Sequence, residues 1–117
     1  MEVLEEVPLA LLLERCALVV HHGGAGTALT STAFGLPQLA LPQAPYLVEH
    51  GERLAATGAG ALLREGEQEE GSIRTAVEGM LSGPTATRAA RELATEMAAL
   101  PTPADWVASL AEIAGRR

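Results

Sequence analysis

Between Cys16 and Val48 the chain carries no Asp, Glu, Lys or Arg, so this stretch must either cross a membrane or lie inside a fold. A membrane span needs an apolar helix of about 20 residues. His21, His22, the glycines at 23, 24 and 26, and Pro37, Pro42 and Pro45 interrupt any such helix. The start, Met-Glu-Val-Leu-Glu-Glu, has neither the basic residues nor the apolar core of a signal peptide. The expectation is a soluble interior, with no membrane and no export.

Such an interior has to be built from short buried elements, and the sequence offers three. Ala17-Leu18-Val19-Val20 is a continuous apolar run that stops at His21-His22-Gly23-Gly24, the pattern of a strand buried on both faces. Gln38 to Leu41 before Pro42, and Ala59 to Leu63, repeat it. Between them, Gly26 to Phe34 reads as a helix closed by Gly35. A second helix carries Leu47, Leu54 and Ala55 and ends at Gly58. Strands alternating with helices predict an α/β fold, a Rossmann-like parallel sheet with flanking helices.

The flanks are less regular. Val3, Leu4 and Val7 suggest a weak strand over Met1 to Val7, followed by a helix from Pro8 to about Arg15. Residues 64–71 form a polar, solvated loop. Over about 72–114 three helices are expected. The first has Ser72 as N-cap with Ile73, Val77 and Leu81; the second carries Ala90, Leu93, Ala94 and Met97. The third starts with Thr102 as N-cap and Pro103, places Asp105 at the dipole's positive end, and presents Trp106, Leu110 and Ile113 on one face before Gly115. Residues 1–117 are thus read as one domain.

Charge and aromatic content narrow the partners. Eight basic residues, all Arg, against 15 acidic ones give a formal net charge of -7, and aromatics are 3%. An acidic surface repels phosphate polymers and anionic membranes, and base-stacking platforms are missing, so no nucleic acid is expected. The single Cys16 can make no internal disulfide, is read as a small buried hydrophobe, and points to the reducing cytoplasm.

Chemistry is expected where the glycine turn meets a helix N-terminus, outside the carboxyl end of a strand. In His22-Gly23-Gly24-Ala25-Gly26-Thr27 the glycines allow close main-chain approach, the first helical N–H groups and the dipole favour an anion, and His22 and Thr27 add side-chain donors. The turn lacks the Gly-Lys-Ser/Thr ending of a Walker loop and the spacing of the dinucleotide fingerprint. Adjacent His21 and His22 would point to opposite faces of a strand, so no metal site is expected, and His21 is read as a packing residue. With no Arg between Arg15 and Arg53, backbone N–H groups and one imidazole would do most of the neutralising of a bound diphosphate.

These residues also carry a resemblance. Val-Pro-Leu-x-x-Leu-Leu-x-Arg-Cys-x-Leu-Val-Val-His-His-Gly-Gly-Ala-Gly-Thr from Val7, then Gly-Leu-Pro-Gln-x-x-x-Pro-Gln, Arg-Leu-Ala-x-x-Gly-Ala-Gly and the ending Glu-Met-Ala-Ala-Leu-Pro-Thr-Pro, are similar to the donor-binding C-terminal domain of bacterial family 1 glycosyltransferases of macrolide and polyketide biosynthesis. The resemblance implies a GT-B enzyme that moves a (deoxy)sugar from a dTDP- or UDP-sugar to a natural-product hydroxyl with inversion, without metal or other cofactor. It assigns the donor diphosphate to His22, Gly23, Gly24, Ala25, Gly26 and Thr27, and the nucleoside to Val7 and Thr30. Thr30 replaces the Glu that relatives using uridine donors set against the ribose, which is compatible with thymidine. Gln43, Tyr46 and Leu47 fall near the donor sugar. Tyr46-Leu47 stands where relatives have the Asp-Gln pair that contacts sugar hydroxyls, which favours a less hydroxylated sugar or a degenerate donor site.

The family's catalytic base and most of its acceptor pocket belong to an N-terminal domain, so the resemblance implies no catalytic residue in this chain. It also implies two further central strands before the first one here, making this a partial, N-terminally truncated domain split across a missing centre. Residues 1 to 13 are then expected to pack poorly unless an N-terminal domain, a second chain or another copy completes the sheet, and the open edge would invite association. Two alternatives belong beside the enzyme reading. One is a nucleotide-sugar-binding subunit of a split two-chain glycosyltransferase; the other is an inactive auxiliary remnant.

Overall fold

The computed structural model describes residues 3–115. Three strands, β1 (Val19–His21), β2 (Gln38–Ala40) and β3 (Gly60–Leu62), form one parallel sheet in the order β1-β2-β3. Val19 pairs with Gln38 and Gln38 with Gly60. α1 (Leu9–Leu13) precedes β1, α2 (Ala25–Ala33) joins β1 to β2, and α3 (Pro45–Ala56) joins β2 to β3. α4 (Glu70–Leu81), α5 (Thr85–Ala98) and α6 (Pro103–Gly115) follow. The alternation expected of a parallel sheet is therefore present.

β2 is the centre. All three of its residues are buried, Leu39 and Ala40 completely, because it is the strand with neighbours on both edges. Buried Pro37 and Pro42 bracket it and set the strand ends, since neither can donate to the ladder. α2 stops as the glycine at 35 predicts: Gly35 has φ +69, its N–H donates to the Thr32 carbonyl, and the Leu36 N–H donates to that of Ser31. These two bonds satisfy carbonyls left open by the helix end.

Several expectations need correcting. Residues 3–7 form no strand, Met1 and Glu2 lie outside the described residues, and Glu6 adopts φ +56. The three strands are contiguous, so the sheet is not split. Val3, Leu4, Val7, Leu9 and Leu11 are exposed and only Leu13 of α1 is buried, the poor packing expected of this segment. Cys16 is exposed, donating weakly to the Leu12 carbonyl at 3.2 Å; it falls between α1 and β1, where no element covers it. Ser72 does not cap α4, which begins at Glu70 with Glu69 as N-cap. Acidic groups there suit the positive end of the helix dipole, and Ser72 lies inside the helix.

α6 starts with the expected cap, reciprocated: the Asp105 N–H donates to Thr102 Oγ1 at 3.1 Å and the Thr102 N–H to Asp105 Oδ2 at 2.7 Å. Hydrogen bonding from Thr102, that of its backbone N–H first and its side chain second, holds the Asp105 carboxyl below its ordinary range. Every residue of α6 is exposed. The radius of gyration is accordingly 16.9 Å and the longest dimension 60 Å, against about 13 Å expected for a compact chain of this length. Among the described residues no helix is long and apolar enough to cross a membrane.

Candidate functional site

The glycine turn sits at the carboxyl end of β1, where the chain leaves the sheet for α2. Gly23 has φ +96 and is buried, and a Cβ there would meet Leu47 Cβ and its carbonyl oxygen at 3.3 Å. Only glycine combines that conformation with that approach. Gly24 is the N-cap of α2 and makes no side-chain cap bond; a Cβ on it would come within 2.7 Å of His22 Cε1. The His22 ring thus lies over Gly24, its Nδ1 accepting the Gly24 N–H at 3.2 Å. Its proton is then on Nε2, at the exposed edge of the ring.

Helix geometry settles which main-chain donors remain. The Ala28 N–H is the first in α2 to find a helical acceptor, the Gly24 carbonyl, so those of Ala25, Gly26 and Thr27 have none within the helix. The Gly23 N–H is taken by His21 Nδ1 at 2.9 Å. The Thr27 hydroxyl has no partner among the described residues, whereas that of Thr30 donates to the Gly26 carbonyl at 2.8 Å. Of the six residues assigned to a diphosphate, four therefore have donors to offer: His22 Nε2–H, the amides of Ala25 and Gly26, and the amide and hydroxyl of Thr27.

The other site expectations scatter. Leu47 is 8% exposed and packs on Gly23, so it shapes the turn from beneath. Tyr46, its neighbour at the start of α3, is 70% exposed. Gln43 donates to the Leu41 carbonyl at 3.0 Å and to Gln68 Oε1 at 2.7 Å. Gln68 in turn donates to the carbonyls of Pro42 and Leu63, so the acidic loop is tied across the ends of β2 and β3. Its one residue with both an amide donor and acceptor was the signal. Val7 is exposed in the irregular segment before α1, and no hydrogen bond among the described residues joins it to the turn.

Two more histidines bear on the turn. His21 Nε2 lies 2.8 Å from Oε1 of fully buried Gln38, and burial lowers the His21 pKa, with His22 adding to the effect and the Gln38 bond opposing it. His50 Nδ1 lies 3.4 Å from the Gly23 carbonyl. His50 and Arg53 of α3 also border a shallow cavity of about 210 Å³ with Ala25, Ala28 and Leu29. Among the described residues, no group of three or more His, Cys, Asp or Glu could hold a metal ion.

A glycine turn at the carboxyl end of a parallel strand, feeding an open helix N-terminus, stands where open α/β sheets bind ligands. The fold matches the C-terminal domains of GT-B glycosyltransferases. The chain superposes on spinosyn forosaminyltransferase SpnP with TM-score 0.90 at 34% identity, covering 97% of this chain and 31% of that one. It superposes on spinosyn rhamnosyltransferase SpnG complexed with thymidine diphosphate with TM-score 0.82 at 38% identity, covering 89% and 29%. The erythronolide mycarosyltransferase of Saccharopolyspora erythraea is 36% identical over 110 residues, 94% of this chain and 26% of the relative. Residues 1–113 match the family model of the erythromycin biosynthesis protein CIII-like C-terminal domain, and the chain belongs to that family. It spans about a quarter of the length of the curated relatives it matches.

Proposed function

We propose that this chain is the donor-binding part of a glycosyltransferase, holding the diphosphate of a dTDP- or UDP-sugar at the N-terminus of α2 while a (deoxy)sugar passes, with inversion, to a hydroxyl of a natural-product aglycone. The observation that carries the reading is the convergence of His22 Nε2–H, the Ala25, Gly26 and Thr27 amides and the Thr27 hydroxyl at one strand end. As the anomeric carbon–oxygen bond breaks, the electron pair leaves with the diphosphate, and these donors meet the charge that develops there. The acceptor oxygen forms the new bond, and its proton goes to a base outside this chain.

The scheme uses no resident metal, because the helix dipole, amides and imidazole supply the positive field. Thymidine is favoured over uridine by Thr30, whose hydroxyl is turned to Gly26 and whose short side chain offers no carboxylate for a 2′-hydroxyl. Exposed Tyr46 beside buried Leu47 suits a donor sugar recognised more by shape than by hydroxyl pairing. The partner is an N-terminal acceptor domain or a chain equivalent to it; the free edge of β1 is where the two further strands that the resemblance implies, or a second copy, would pair. An exposed free thiol at Cys16 suits a reducing compartment, the cytoplasm.

Titration of the ¹⁵N-labelled chain with thymidine diphosphate, then uridine diphosphate, tests this. Amide shifts are expected at Ala25, Gly26 and Thr27. His22→Ala is expected to weaken binding about tenfold, the worth of one hydrogen bond to a charged group, with the urea midpoint unchanged. Silence of these amides with both nucleotides, or unfolding of His22→Ala, overturns the proposal.

A further inference from the structure

We infer that His21 is a positioning residue: in its neutral form, protonated on Nε2, it clamps the Gly23 amide and so fixes the turn that presents His22 and the α2 amides, and taking up a proton releases that clamp. The consequence for ligand binding rests on the reading of the turn as a diphosphate site.

The tautomer follows from the partners. The Gly23 N–H can only donate, so the Nδ1 it meets at 2.9 Å is bare. The ring proton is then on Nε2 and donates to Gln38 Oε1 at 2.8 Å. That fixes the Gln38 amide, whose Nε2 donates to Thr32 Oγ1 at 3.0 Å, and the Thr32 hydroxyl donates to the Ala28 carbonyl at 2.8 Å. One directed chain of hydrogen bonds thus runs from the turn, through the centre of the sheet, into the body of α2. A second proton on His21 would set Nδ1–H against the Gly23 N–H, donor against donor.

Nothing nearby welcomes that proton. β2 and α2 carry no titratable side chain. The adjacent His22 is exposed, and from α3 only His50 reaches the turn, at the Gly23 carbonyl. The remaining charges of α3 are paired elsewhere, Glu49 with Arg53 and Glu52 with Arg64. On α5, Glu96 borders a cavity beside Thr32, at the far end of the chain of bonds, while Arg88, Arg91 and Glu92 line a groove along that helix. No carboxylate among the described residues hydrogen-bonds to His21, and burial favours its neutral form.

Ring ¹⁵N spectra of the wild-type chain test the clamp without any ligand. The expected result is an Nε2–H tautomer for His21 at pH 7.5 and a Gly23 amide resonance that titrates with the His21 ring and not with His22. An Nδ1–H tautomer, or a Gly23 amide indifferent to His21, overturns the inference. Thymidine diphosphate titrations at pH 7.5 and 5.5 then compare wild type with His21→Asn, whose Oδ1 can accept from Gly23 but cannot be protonated in this range. The ratio of the two affinities cancels whatever pH dependence both proteins share, that of the nucleotide's own phosphate included. Wild type is expected to lose affinity relative to His21→Asn in step with the protonation of the His21 ring read from the ¹⁵N spectra, about fivefold where the ring is fully protonated, one hydrogen bond's worth; equal pH dependence of the two proteins over a range in which the ring protonates overturns the inference.

His21→Leu removes the acceptor and is expected to bind weakly at both pH values, with His21→Asn restoring most of the loss. If His21→Leu fails to fold, the wild-type ring spectra and His21→Asn decide. Should thymidine diphosphate bind at neither pH while the Gly23 amide follows His21, the clamp stands and the diphosphate reading falls.

Discussion

The centre of the sheet and the helix α6 are both apolar in sequence, yet they end in opposite environments. In the first, Leu39, Ala40 and Ala59 are wholly buried; in the second, Trp106, Val107, Leu110 and Ile113 are each about three-fifths exposed. The difference lies in what each element needs in order to exist. A parallel strand has no local hydrogen bonds, so β2 forms only with β1 and β3 beside it and helices over it. A helix closes its own backbone bonds, and with the Thr102–Asp105 box at its start α6 forms with none of the described residues burying its apolar face. Apolar patterning therefore specifies the element in both regions, but it brings a partner only where the backbone demands one.

The strongest way to break that contrast is Leu39→Ala. Leu39 is at the middle of the central strand with no exposure, and truncating such a side chain costs its transfer energy and leaves a cavity, about 2–5 kcal/mol in all. Urea denaturation followed by circular dichroism is expected to show a large fall in midpoint. An unchanged midpoint would mean that the sheet is not the stable part of the chain.

Acidification sharpens the contrast by acting on the sheet region through His21. Its pKa is lowered in the folded chain by burial from an ordinary value of 6.5. Above pH 6.5 the ring is neutral in both folded and unfolded chains, and its contribution to stability is fully present. As pH falls below 6.5 the unfolded chain takes up the proton first, so stability declines until the folded pKa is passed. Urea midpoints are expected to drop across this window in wild type and to drop less in His21→Asn. Asp105, whose lowered pKa acts below 3.8, affects the start of α6 in a separate, more acidic window. Equal slopes for the two proteins above pH 5 would remove His21 from the account.

Much of this was legible in the residues, and the gaps have physical causes. The three strands and the helix between the first two were visible as apolar runs punctuated by glycine and proline. Their ends shifted because ladder partners decide them: β1 starts at Val19, where Gln38 begins to pair, although Ala17 and Leu18 are equally apolar. The glycine turn was legible as a tight turn into a helix N-terminus, but the division of its amides was not. That division depends on which way His21 and His22 fold back, and His21, read as a packing residue, turned out to hold Gly23 and Gln38 together. Such a bond links residues on different strands, and periodicity within one strand carries no trace of it. Cys16 failed for the complementary reason: its type favours burial, but its place between α1 and β1 leaves it uncovered.

The smallest expected effect belongs to α6 and completes the contrast. Leu110 is as large as Leu39 and just as apolar, but its side chain is already in water in the folded chain, so Leu110→Ala removes almost no buried surface. Alanine is also the better helix former, by a few tenths of a kcal/mol at most. The unfolding free energy from urea denaturation is therefore expected to stay within about 0.5 kcal/mol of wild type, as for surface substitutions generally. Sedimentation velocity run on the same pair tells whether the exposed face has found a partner in solution. If two copies meet through α6, wild type sediments faster as concentration rises, Leu110→Ala does so less, and the midpoint becomes concentration-dependent. If neither changes, two copies do not meet through α6 and its apolar face stays free in solution.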